Sequence, residues 1–234
     1  AMTAADVNNV LEIMHTWKQP SHYILCSTIG VYAGGNMDGL LRESDPIVSG
    51  TTTDATSRYH TYIHGKQAAE HTLLNNHRTI PYTILRPTVI EGKNDPSHRM
   101  HYFINKIKNH ETILLSNAEK DTRYRHVLDT DVARAFTACI NNPNANNEIF
   151  NVAGDDILTI EHYVETLAKA LNLSANIRFT HETDPALQEP THQLPAFYSC
   201  VRLIPDINKI KNTLHFEPTP THRWLPTLAA QHND

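Results

Sequence analysis

Three short apolar runs decide what this chain can become: "HYILCS" at 22–27, "YTILRP" at 82–87 and "EIFNVAG" at 148–154. Each is too short for a helix of ordinary length and lacks the polar–apolar alternation of a strand with one wet face, so each reads as a strand buried on both sides. Long segments of helical periodicity separate them. Strands joined through helices run parallel, because a tight turn can only return the chain antiparallel. The expected fold class is therefore α/β, a parallel sheet with flanking helices.

The intervening elements follow from spacing and from stop signals. In "NNVLEIMHTW" the residues Val10, Ile13, Met14 and Trp17 recur at helical intervals, and Pro20 is a natural stop. The segment 30–50 holds five of the eight glycines and reads as a loop. A helix is expected over about 56–76, with Tyr62, Lys66, Ala69 and Leu73 along one face. Further helices are expected at about 98–109, 131–141, 159–171, 206–214 and 224–230, with short extended pieces at "TILLS" and "TRYRHV". Thr159 stands at the cap position ahead of "TIEHYVETLAKAL", with His162 where a capping box usually has Glu. The proline-rich stretch at 180–197 reads as a long irregular loop.

Composition narrows the function classes. The chain has 234 residues, 40% hydrophobic and 19% charged, enough for one good core or one core with a small appendage. It has no membrane-length apolar run, and its opening "AMTAADVNNVLEIMHTW" lacks the basic flank and apolar middle of a secretion signal, so the cytoplasm is the expected compartment. Ala1 before Met2 reads as a cloning remnant ahead of a start codon, from which a short reading frame is expected. Cys26, Cys139 and Cys200 form no C-x-x-C pair and are read as reduced thiols. The net charge of −5, without a basic block, argues against nucleic acid or an anionic membrane as partner.

Sixteen histidines are an unusual load. His60, His64 and His71 share one side of the 56–76 helix with Gln67 beside them, and Tyr62 and Lys66 lie on the other side. That polar side is read as solvated, with a three-imidazole metal site as the alternative. His98 and His101 are read as surface residues, and no metal centre is expected.

The stretch "YIHGK" raises a chemical possibility. A tyrosine is a poor base at neutral pH, but an ammonium one helical turn away attracts its phenolate. At about 5 Å and an effective dielectric of about 20 the attraction is about 3 kcal/mol, roughly two pKa units. Burial opposes part of that shift. Tyr62 and Lys66 have this spacing, although Y-x-x-x-K alone occurs often by chance.

Its surroundings are more specific. Ser27, Thr28, Val31 and Tyr32 follow the first apolar run; Ala69 and Glu70 follow the Tyr–Lys pair; Arg86 and Pro87 end the second run; "RHVLDTDVARA", "NEIFNVAGDDILTIEHYVETLAKAL" and "PDINKIKNTLHFEPT" come in order after them. The chain thereby resembles the extended short-chain dehydrogenase/reductase family, the NAD-dependent epimerases and dehydratases, over nearly its whole length. The resemblance implies a partial Rossmann-like core at 1–155, some substrate-side elements inserted from about 92, and a small substrate-binding subdomain at 156–234. It implies that Tyr62 exchanges a proton with a substrate hydroxyl, that Lys66 holds the nicotinamide ribose and lowers the tyrosine pKa, and that Thr28, with Ser27 as understudy, binds the same oxygen. Pro87, Thr88 and Val89 would border the nicotinamide of NAD or NADP. A structural role for Thr28 is a cap on the strand end, and Arg86 reads as a scaffold ion-pair residue.

Two departures limit the reading. Ile29 and Gly30 stand where the family's dehydratases carry acidic residues, and neither moves a proton, which leaves epimerisation, carbonyl reduction or a related oxidation. The glycines at 30, 34, 35 and 39 match no dinucleotide fingerprint and follow the wrong strand, so the pyrophosphate-binding half has no counterpart here. The chain alone is expected to bind NAD weakly or not at all, and to self-associate or take a partner that supplies the missing half. Its substrate is expected to be a small molecule, a nucleotide sugar by resemblance. The alternative is a non-catalytic remnant that binds a small molecule or a protein, and a histidine-rich metal-binding module stands behind both.

Overall fold

The three apolar runs pair as read. In the computed structural model, which describes residues 2–19, 21–33, 39–47, 58–194 and 203–231, strands β1 (Tyr23–Cys26), β3 (Tyr82–Pro87) and β8 (Glu148–Val152) form a parallel sheet in the order β1-β3-β8. Pro20, Gly34, Gly35, Cys200 and Pro195 lie outside the described residues. On β3, successive side chains serve opposite faces of the sheet. Ile84 packs with Val7, Leu11 and Met14 of α1 (Ala4–Met14) and with Ala69 and Leu73 of α2 (Arg58–Asn76). Leu85 packs with Val132, Ala135 and Cys139 of α5 (Asp129–Cys139) and with Ile210 and Leu214 of α7 (Asn208–Leu214).

Beyond the sheet, β4 (Val89–Glu91) pairs in parallel with β7 (His126–Leu128), and β5 (Thr112–Ser116) with β10 (Asn176–Thr180). The two-residue strands β6 (Arg123–Tyr124) and β9 (Leu158–Thr159) run antiparallel, and β2 (Leu40–Leu41) pairs with β11 (Ile204–Pro205). A third core gathers α3 (Arg99–Lys108), α6 (Ile160–Ala170) and α8 (Thr221–Gln231) around Phe103, Ile113, Tyr163, Leu167 and Trp224, and the short α4 (Asn117–Lys120) lies between β5 and β6. Thr159 caps α6 by accepting from the His162 amide at 3.2 Å, as its position predicts.

Three readings change. The buried face of α1 is Val7, Leu11 and Met14, while Val10, Ile13 and Trp17 are exposed, because the helix presents a second apolar stripe to solvent. The glycine-rich loop begins with a 3-10 turn at Ile29–Tyr32 and later supplies β2. The polar side of α2 is partly covered: Gln67 is buried and donates to the Val31 carbonyl at 2.9 Å.

Candidate active site

The carboxyl ends of β1 and β3 open onto one cavity, as is general where parallel strands end. Thr28, just past β1, is extended (φ −159°), and its Oγ1 accepts from the Gly30 amide at 3.2 Å. That bond caps the 3-10 turn and holds the threonine at the strand mouth. The same residue thus satisfies the structural reading and lines the cavity, whose volume is about 460 Å³. Tyr62 and Ile29 share that lining with it, and Thr88, just past β3, and Val89, the first residue of β4, complete the wall. Thr88 is fixed by its own hydroxyl, which donates to the Arg125 carbonyl at 2.8 Å.

Lys66 sits one layer behind. It is 5% exposed, its Nζ lies 5.7 Å from the Tyr62 ring centroid, and it donates to the Cys26 carbonyl at 2.7 Å. Burial lowers its pKa, while Cys26 and Glu70 pull it back up. The ammonium is therefore anchored to the end of β1 and remains beside the phenol. Of the seven residues singled out in the sequence, the cavity brings together Tyr62, Thr28, Thr88 and Val89, with Lys66 behind Tyr62. Ser27 and Pro87 are buried and are not among its lining residues.

Ser27 belongs to a buried polar chain. Its hydroxyl donates to the Glu70 carboxylate, which receives Arg86 through Nε at 3.0 Å and Nη2 at 2.6 Å. Arg86 Nη1 donates to the Tyr32 hydroxyl at 2.7 Å, and Tyr32 donates to Asn151 Oδ1 at 2.8 Å. Burial pushes the Tyr32 pKa up to about 12, against the pull of Arg86. Burial alone would lower the Arg86 pKa, but the hydrogen bonds and charge of Glu70 hold it above its usual value. Arg86 is the ion-pair residue its position implies, and the chain fastens α2 to β1, β3 and β8.

The far wall of the cavity was not singled out in the sequence. Asn94, Asp95, Pro96, Ser97 and Arg99 line it, with Asp129 from the start of α5. Asp95 accepts from Ser97 Oγ at 2.7 Å and pairs with Arg99 at 3.3 Å. A Cβ at Gly92 would overlap the Asp129 carboxylate, so the two segments meet closely there. The available signal was "GKNDPS", a polar loop directly after a strand end.

Fold and cavity define a Rossmann-like α/β protein with a cavity at the strand ends. The family profile described as NAD dependent epimerase/dehydratase matches residues 2–153, and the chain belongs to that family. A curated relative, the chloroplast stem-loop binding protein of 41 kDa b from Arabidopsis thaliana, is 28% identical over 168 residues; the match covers 71% of this chain and 40% of that protein. Among solved structures, UDP-glucose 4-epimerase from Thermotoga maritima (18% identity, TM-score 0.70) and UDP-glucuronic acid 4-epimerase from Bacillus cereus in complex with NAD (19%, 0.70) are each matched over 97% of this chain and 67% of theirs. The dTDP-glucose 4,6-dehydratase from Bacillus anthracis in complex with NAD has 16% identity and TM-score 0.72 at the same coverage. At these identities the likeness is one of fold.

Proposed function

We propose that the chain carries the catalytic part of an NAD(P)-dependent epimerase or reductase acting on a nucleotide sugar or a similar hydroxyl or carbonyl substrate. The observation that supports this most is the joint placement of Tyr62 and Thr28 on one cavity with the Lys66 ammonium beside the phenol. In this reading the Tyr62 hydroxyl gives or takes the proton of the substrate oxygen, and Thr28 Oγ1 donates to that oxygen. Lys66 favours the phenolate by Coulomb attraction, and Ile29 on the same wall brings no group that moves a proton. A bound dinucleotide would supply or accept the hydride. The residues present suit its nicotinamide end, where Lys66, Thr88 and Val89 would hold it with Tyr62. No glycine-rich turn in this sequence suits its pyrophosphate, so further sequence or another polypeptide would supply that half, while a second copy would cover the open sheet edge. We propose residues 1–155 and 156–234 as the core and the substrate-binding subdomain. The cytoplasm remains the proposed compartment, in keeping with free Cys26 and Cys139.

A second reading, a non-catalytic binding module, is favoured by one observation: the Arabidopsis relative is named for binding and not for catalysis. With a net charge of −5 this chain has little of the basic footprint that nucleic acid requires, so a small molecule or a protein is its proposed ligand in that case. Turnover of UDP-glucose or UDP-glucuronic acid with NAD⁺ by the full-length gene product separates the two. We expect Tyr62→Phe to lose at least about a hundredfold in turnover with an unchanged circular dichroism spectrum. Equal turnover by both forms would overturn the role of Tyr62, and none by either would favour the binding module.

A further inference from the structure

The proposed redox site makes no use of a histidine pair on the opposite side of the same helix. His60 and His64, one turn apart on α2, bring their Nε2 atoms to 2.7 Å, with ring centroids 4.0 Å apart and planes inclined at 60°. Both are half-buried. Two neutral imidazoles can meet in this way only if one Nε2 carries the proton and the other accepts it. Once the donor ring shifts its proton to Nδ1, that hydrogen bond is lost, and side chains at i, i+4 can rotate to offer both Nε2 atoms to one ion.

The number of ligands selects among ions. Zinc sites take three or four protein ligands, whereas copper(II) and nickel(II) accept a nitrogen pair with water in a square or tetragonal shell. We propose that His60 and His64 form a two-imidazole site for a divalent ion that takes tetragonal coordination, copper(II) or nickel(II), with water completing the shell. His71, the third imidazole on this side, is turned toward Asn75, whose Nδ2 lies 3.1 Å from its ring nitrogen. Among the described residues no group of three or more His, Cys, Asp or Glu is placed to hold a metal. Among the described residues the site is a chelating pair at a half-buried surface, and a bound ion would cross-link residues 60 and 64 around the turn that carries Tyr62.

The test is calorimetric titration with copper(II), nickel(II) and zinc(II) chlorides of the wild type, the His60→Gln/His64→Gln double variant and His71→Gln. The remaining histidines contribute background, so the differences between variants are what count. The wild type should bind one more equivalent of copper and of nickel than the double variant, or bind it at least tenfold more tightly. It should hold nickel more tightly than zinc, and His71→Gln should match the wild type. Hydrogen exchange should show that nickel slows the amides of 60–66 in the wild type and not in the double variant. Equal binding by wild type and double variant, an equal loss in His71→Gln, tighter zinc than nickel, or unchanged exchange would each overturn the assignment.

Discussion

Glu70 shows what single residues do in this protein. It is fully buried, and its two carboxylate oxygens are taken up by Arg86 and Ser27. Such a pair adds little net stability over a well-packed apolar replacement, but removing one partner strands the other charge in the core. Glu70→Ala should therefore destabilise the fold by about 3–5 kcal/mol in urea denaturation. A double replacement of Glu70 and Arg86 by apolar residues of similar volume should recover much of that loss. A second buried pair, Glu91 and His126, is 3.0 Å apart in distance but poorly aligned for a hydrogen bond, with Tyr163 donating to the same carboxylate at 3.2 Å. The sequence marked Arg86 as a scaffold residue from its place at a strand end. Nothing local marked Ser27 as Glu70's partner, because their contact joins residues far apart in the chain.

At the scale of elements, α1 and α2 show how periodicity leaves the choice of face open. The apolar residues of α1 fall on two stripes, and only packing against Leu73 of α2 and Leu25 of β1 selects Val7, Leu11 and Met14. The consequence is measurable. Leu11→Ala, at 2% exposure, should cost about 2–5 kcal/mol, whereas Ile13→Ala, at 59%, should stay within about 0.5 kcal/mol in the same melts. On α2 the pattern turns Gln67 outward beside His60, His64 and His71, yet it is buried, as is Glu70, and both have partners. Hydrogen bonds to the Val31 carbonyl and to Arg86 make that burial tolerable, and no helical wheel contains them.

The molecule as a whole carries a dependence on alkaline pH. Burial raises the Cys139 thiol from 9.0 to about 11 and the Tyr32 phenol from 10.0 to about 12. In the unfolded chain these groups release their protons first, so between about pH 9 and 12 the folded state holds more protons and stability falls as pH rises. Lys66, with its pKa lowered by burial, has the opposite sign, since it gains stability as pH rises toward 10.5. Two phenol and thiol groups outweigh one lysine in number, and the fully buried Tyr163, raised well above 10.0, adds to them. The urea midpoint should therefore drop between pH 8.5 and 10.5, and Cys139→Ala should flatten part of that slope. An unchanged midpoint over that range would contradict the burial of these groups.

The sequence by itself determined the α/β class, the three sheet strands and the Tyr62–Lys66 spacing, because each depends on a period of a few residues that backbone geometry imposes. Only the tertiary structure decided which stripe of α1 is buried, that Ser27 serves the Glu70–Arg86 chain while Thr28 lines the cavity, and that the 94–99 loop and Asp129 form its far wall. Those outcomes depend on contacts between segments tens of residues apart, and neither propensity nor spacing within one segment encodes which distant partner will satisfy a buried polar group.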